Sequence, residues 1–377
     1  VPPSGIRRFF DVQNSMPDVI SLGVGEPDFD TPSAIVEAGI RSLREGRTHY
    51  TSNYGTIELR RALAAHLEGR YGVAYDPERE IVITVGVSEA LAASLAAVVD
   101  PGDEIILAEP TYVAYVPDIV FSGGRPVFVT ARPEDGWQLD PDAVEAVITR
   151  RTRALFLGFP NNPTGAVLDP DRLRAVAAIA ERHDLVVISD EVYDRLVYGG
   201  HRHEAFSAMP GMRDRTVLLG GFSKAYAMTG WRIGYACAPA DLLEGIVKVH
   251  QYIIMSAPTT AQDAALVALT DASAEADVER MVGEYDRRRR MFVAGLERLG
   301  LATAEPRGAF YAFPSIAASG LSSETFSERL LFEHHVAVIP GSAFGPSGEG
   351  YVRASLATSY EKLEGALERI ERFLGTL

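Results

Sequence analysis

Apolar residues in the middle of the chain come in short continuous runs rather than in alternation. EIVITV (80–85), DEIILA (103–108), PVFVT (126–130), RALFLGF (153–159), LVVIS (185–189), TVLLGGF (216–222) and RIGYACA (232–238) each read as a strand apolar on both faces. Such strands belong to a sheet covered by helices on both sides, which is the pattern of a mostly parallel sheet with helical crossovers. Helical stretches at 88–99 (SEALAASLAAVV) and near 170–182 supply part of that cover. From 272 to 299 a charged, periodic stretch predicts one long connecting helix. Beyond it the pattern is α+β: AFYAFP (309–314), a helix near 323–334, VAVIP (336–340), YVRAS (351–355) and a final helix over 359–374. The first 45 residues lack the strand–helix rhythm. The expected organisation is an α/β large domain over 46–280, with a smaller α+β domain built from 1–45 and 281–377.

The 377-residue length suits two domains, and 47% apolar with 23% charged residues suits a globular core. A formal net charge of −15 repels phosphate backbones, so no nucleic-acid partner is expected. A single cysteine, Cys237, excludes a disulfide within the chain and a cysteine metal site, and no metal is expected. No apolar stretch approaches the ~18 residues that span a bilayer, and VPPSGIRRFF lacks the apolar core of a signal peptide. No membrane partner is expected, and the expected location is the cytoplasm.

In open parallel sheets ligands sit beyond the carboxyl ends of the strands, so the residues after each run matter most. Asp190 and Tyr193 follow LVVIS, PNNPTG (160–165) follows RALFLGF, GVSEA (86–90) follows EIVITV, and Ser223-Lys224 follow TVLLGGF. Each has an ordinary explanation. Asp190 or Ser88 could cap a helix, NNPTG could be only a turn, and a lysine is usually on the surface. Yet the chain has three lysines, and Lys224 alone sits among glycines, aromatics and aliphatics, where an unpaired ammonium is expensive. A buried lysine has a lowered pKa and attacks carbonyls. An acid, a phenol, an amide, a helix start with a hydroxyl and an amine at one sheet end together point to pyridoxal 5'-phosphate (PLP), which uses all of them.

The chain resembles the class I aminotransferases of PLP fold type I, in the branch of aspartate and aromatic aminotransferases. The likeness rests on ISLGVGEPDFDTP (20–32), THYTSNYGTIELR (48–60), NNPTGAV (161–167), VISDEVY (187–193), SKAYAMTGWRIGY (223–235), GAFYAFP (308–314) and YVRASLATS (351–359), seven motifs in family order. By that resemblance Lys224 is the Schiff-base lysine and proton carrier, and Asp190 the partner of the ring nitrogen. Tyr193 and Asn162 donate to the phenolate oxygen, and Tyr112 stacks on the ring. Gly86, Val87, Ser88, Ser223 and Arg232 hold the phosphate, joined by Tyr50 from a neighbouring subunit of a homodimer. Arg353 grips the substrate α-carboxylate, with Gly25 and Asn162 beside it. Cis bonds are implied before Pro110 and Pro163. Two positions depart from relatives: Gly221 replaces a common phosphate-binding serine, and Ser88 replaces a lysine that some aspartate-specific members carry. GIRRFFD, GFSKAYAMTGWR and PGSAFG…GEGYVR look closer to the aromatic-substrate members. The expected activity is ping-pong transfer of an amino group from an aromatic or neutral amino acid to a 2-oxo acid, with 2-oxoglutarate the expected acceptor. Aspartate is the alternative donor; a C–S lyase or a non-catalytic regulatory domain ranks lower.

Overall fold

The computed structural model describes Val1, Met16 and residues 18–377. The GIRRFFD segment, used above as a substrate signature, lies outside the described residues. A short strand β1 (Ile20–Ser21) opens the described chain. The central sheet contains β2 (Ile81–Thr84), β3 (Glu104–Glu109), β4 (Arg125–Thr130), β5 (Thr152–Gly158), β6 (Val186–Asp190), β7 (Thr216–Gly221) and β8 (Gly234–Cys237). Their order is β2-β8-β7-β6-β5-β3-β4, and only β8 runs against its neighbours. All seven are the apolar runs of the sequence, shifted by at most two residues at an end.

The continuous runs hide a period of two. Ile105 and Leu107 of β3, Ala154 and Phe156 of β5 and Ile188 of β6 share one cluster with Ala90, Leu91, Leu95, Leu243 and Ile246. These come from the helices Gly86–Val98 and Ala240–Ile253. Ile106, Leu155, Leu157 and Val187 face the other way, onto Leu173, Val176 and Ile179 of the helix Pro170–Arg182. Both faces are therefore dry over the central strands, which is why polar alternation is missing from their sequence. The edge strand β4 departs from the expectation, with Arg125, Phe128 and Thr130 exposed.

The connecting helix runs over Ala272–Arg298 and is capped by Asp271, whose carboxylate accepts from the Ser273 N–H. Beyond it, β9 (Tyr311–Ala312), β10 (Val336–Ala337), β11 (Ile339–Pro340) and β12 (Val352–Ser355) form small sheets. VAVIP is two short strands rather than one, because Val336–Ala337 pairs with β1 and Ile339–Pro340 pairs with β12. The start of the chain is thus tied to its end, and Leu22 O also accepts from Ser355 N–H at 2.7 Å. The next helix, Ser33–Arg44, packs instead on the helix Thr259–Thr270 beside the large sheet, where Ser42 and Arg47 both bond Asp263 at 2.6 Å. Glu109-Pro110 and Asn162-Pro163 are cis, as the motifs imply, and Phe159-Pro160 is a third cis bond.

Candidate active site

Strands β2, β5, β6 and β7 deliver their following residues to one cavity of about 420 Å³. Gly25, Val87, Ser88, Tyr112, Asn162, Asp190, Tyr193, Ser223, Lys224, Arg232 and Arg353 all line it. Gly86 stands just behind, at φ +73°, and any Cβ there would lie 2.6 Å from the Arg232 guanidinium. Tyr50 is the exception. It is 81% exposed and lies away from this cavity.

Lys224 follows the end of β7 and points its amine at Gly25 O, 2.6 Å away. Burial pulls the amine down to about 8; Glu26 opposes that, and the cations of Arg353 and Arg232 add to it. A lysine in this state is a usable base and nucleophile near neutral pH. Asp190 ends β6. Burial pushes its carboxyl up to about 6, although Tyr115 Oη donates to it at 2.9 Å and the Val192 N–H at 3.2 Å. Its remaining need is a positive partner. Tyr193 is buried, its hydroxyl 2.8 Å from that of Tyr311, and burial drives its phenol well above the ordinary value.

Arg353 is set by the pairing of β12 with β11, opposite Ile339. It is 2% exposed, bonds Asn162 Oδ1 at 3.0 Å and Gly23 O at 2.6 Å, and stacks 4.5 Å over the Tyr311 ring. Its Nε is buried without a partner. On the cavity wall the helix Gly86–Val98 also begins, with no side-chain cap. Its first N–H groups are unclaimed by any capping side chain, and the Ser223 hydroxyl and Arg232 stand beside them on the cavity wall. The glycine at 221 has a physical reason: a Cβ there would stand 2.8 Å from Val87 Cγ2, inside the turn.

Sequence reasoning missed Tyr115 and Tyr311 as contributors. Tyr115 lies three residues after Tyr112 in EPTYVAY, and that spacing at a helix start was the available signal. Tyr311 lies inside GAFYAFP, where alternation in a two-residue strand is too short to assign a face. Glu26 and Asp118 also line the cavity and were not singled out.

The donor set therefore suits a planar ligand with an anion at one end, a basic ring nitrogen against Asp190, an electrophile at Lys224 and a neighbouring carboxylate at Arg353. The model for aminotransferase class I and II matches residues 17–370. The chain is 48% identical to a putative aminotransferase, YugH, of Bacillus subtilis, covering 99% of this chain and 96% of that one. It is 46% identical to an aspartate aminotransferase of Pyrococcus abyssi, again over 99% and 96%. Among solved structures, an aromatic aminotransferase from Pyrococcus horikoshii superposes with a TM-score of 0.94 at 45% identity, covering 98% of this chain and 99% of that one. The chain belongs to the class I and II aminotransferases, PLP-dependent transaminases of fold type I.

Proposed function

We propose that the cavity holds PLP on Lys224 and moves the amino group of an aromatic or neutral amino acid to 2-oxoglutarate. The observation that carries this reading is the meeting of Lys224, Asp190 and Arg353 in one cavity. When bound, PLP supplies an aldehyde that takes up the amino group and a ring that accepts the electrons released at Cα. The residues supply the rest. Lys224 Nζ, whose proton is weakly held, takes the proton from substrate Cα. Asp190 keeps a proton on the basic ring nitrogen, and that positive charge meets the need its own burial creates. Tyr193 and Asn162 donate to the ring oxygen, and Tyr112 covers one ring face. Val87, Ser88 and Gly86 amides, Ser223 and Arg232 hold the phosphate. Arg353, with an unused Nε, grips the α-carboxylate beside Gly25.

Substrate class follows from charge. Among the described residues the cations lining the cavity are Lys224, Arg232 and Arg353, and each already has a role. Glu26 and Asp118 line it too, and Tyr112, Tyr115, Tyr311, Leu91 and Val113 supply apolar wall. That setting leaves no unassigned cation for a donor's second carboxylate and suits an aromatic side chain, although the same wall has to admit the second carboxylate of 2-oxoglutarate in the return half-reaction. The aspartate aminotransferase names among the relatives support aspartate as the second reading. Half-reactions decide between them: purified enzyme is mixed with single amino acids while the cofactor's absorbance is followed. Phenylalanine and tyrosine are expected to react faster than aspartate; the reverse order overturns the choice.

The homodimer belongs to the same proposal. Tyr50, Tyr252, Ile253, Ile254 and Met255 are exposed apolar side chains, with Tyr252 at 87%, and a second copy would cover them while Tyr50 reaches its phosphate site. Mixing Tyr50→Phe and Lys224→Ala proteins is expected to restore activity through dimers with one unaltered site. The proposed domains are 46–280 and the pair 1–45 with 281–377. The β1–β10 pairing supports joining the two chain ends, while the packing of the helix Ser33–Arg44 on the helix Thr259–Thr270 argues that the part of 1–45 from Ser33 onward goes with the large domain. Among the described residues no helix is long and apolar enough to cross a membrane, which suits a cytoplasmic location.

A further inference from the structure

Behind the turn that carries the Val87 and Ser88 amides lies a carboxylate–imidazole pair with no part in the chemistry above. Glu89, in the first turn of the helix Gly86–Val98, accepts the Val85 N–H at 2.5 Å through Oε2. Its Oε1 lies 2.5 Å from Nδ1 of His250, a residue of the helix Ala240–Ile253. The His250 side chain is 0% exposed and that of Glu89 9%. His250 Nε2 is buried without a partner, so the ring's one polar contact is the one to Glu89.

A helix start grips an external anion only if its N–H groups are both free and fixed. An ordinary capping side chain fixes them by occupying one of the second or third helical N–H groups. Here Val85 occupies the cap position and cannot do so. Glu89 instead takes the N–H of Val85 itself, before the helix begins, and Thr84 Oγ1 adds a bond to Gly86 O at 3.0 Å. The turn is thus pinned from the protein side while the amides that follow stay open to the cavity. A lone carboxylate so close would oppose a bound phosphate. The imidazole donates to it and spreads that charge, and it also holds a flexible glutamate in one rotamer.

We infer that Glu89, aimed by His250, is a positioning pair that sets how tightly the 85–88 turn holds the phosphate of the cofactor. This rests on the reading that the phosphate sits at that turn. The test compares PLP with pyridoxal, which lacks the phosphate, binding to cofactor-free protein. Binding is read by absorbance for wild type, Glu89→Gln, His250→Ala and His250→Asn. His250→Ala, which leaves the carboxylate uncompensated and unheld, is expected to weaken PLP about tenfold or more, the scale of a lost bond to a charged group, and to leave pyridoxal unchanged. Glu89→Gln, which keeps an acceptor for the Val85 N–H without the charge, is expected to weaken PLP less than His250→Ala does. His250→Asn, whose amide can donate from near the Nδ1 position, is expected to restore most of the PLP affinity. Wild type that fails to bind PLP defeats the proposed function instead. Wild type that binds PLP, with variants that bind it equally well or lose PLP and pyridoxal alike, overturns the positioning role. Circular dichroism of the cofactor-free forms checks folding, and Glu89→Ala, which removes the bond to the Val85 N–H and should weaken PLP but not pyridoxal, decides if His250→Ala does not fold.

Discussion

Two regions of this molecule take cations out of water and treat them in opposite ways. On the long helix, Arg288 bonds Glu284 and Asp28 at 2.8–3.0 Å, and Arg289 bonds Asp286, Glu305 and Pro306 O. Burial works against both charges, and the carboxylates outweigh it, so both guanidiniums hold their protons more tightly than usual. In the cavity, Lys224 has a carbonyl for a partner and Arg353 keeps an unbonded Nε. Burial prevails there, and the lysine's proton is loosened. The first region is complete in itself. The second is finished only by charges brought from outside, and that is the physical mark of a site.

The contrast breaks most sharply at Lys224. Lys224→Ala is expected to lower the half-reaction rate by about 10²- to 10⁴-fold, the scale at which a positioned base contributes. The same change removes a buried amine whose bond is to a carbonyl and whose charge no carboxylate among the described residues pairs, so cofactor-free protein should melt no lower than wild type. A melting point depressed by several degrees would mean the lysine is structural. Arg353→Lys comes next. It keeps the charge and loses the fork, so KM for the amino donor should rise about 10- to 100-fold with a smaller fall in kcat. A change in kcat alone would move Arg353 from carboxylate binding to the chemical step.

The loosened proton has its own signature. An amine reacts with an aldehyde only when unprotonated, so reconstitution of cofactor-free protein with PLP should accelerate through pH 8 rather than through the ordinary lysine range. The gain between pH 7 and 9 should be about tenfold. The sign for stability follows from the same shift. Between about 8 and 10.5 the unfolded chain binds the proton that the folded lysine has released. Stability of the cofactor-free protein therefore rises with pH across that window from this group, and the rise is absent in Lys224→Ala. A reconstitution rate still climbing at pH 10 would show the amine to be solvated.

Much of this was legible before any coordinates, because the strand runs are apolar on both faces and their ends carry the unusual residues. Lys224 stood out by its setting, and Asp190, Asn162 and Ser88 by position after a strand. What stayed hidden depends on which neighbour each side chain meets. Tyr115 reads as one more aromatic until β6 places Asp190 2.9 Å from its hydroxyl. Nothing in the sequence marks His250, which is fully buried against a glutamate 161 residues away. The helix Ser33–Arg44 has the period of an amphipathic helix, and nothing in that period says which domain receives it. Gly221 reads as a lost phosphate ligand, and the structure adds that a Cβ there would stand 2.8 Å from Val87 Cγ2, so a serine would require Val87 to shift.

The smallest effect belongs to the completed region and guards the comparison from the other side. In Arg289→Met the apolar stem is kept and the fork is lost from Asp286, Glu305 and Pro306 O. Removing one member of a fully buried pair is severe because the orphaned charge stays dry. Here the Asp286 and Glu305 side chains are 25% and 64% exposed, so water can take over both. A loss of about 1–3 kcal/mol on urea unfolding is expected, below the cost of a sealed pair, with kcat/KM for phenylalanine changed by no more than about twofold, the range of a surface-like substitution. Tyr198 makes this a real test: it stacks under Arg289 and its hydroxyl bonds Ala309 O, two residues from Tyr311. If kcat/KM falls tenfold while stability barely moves, the arginine cluster is part of the site's support, and the division between a finished region and an open one fails.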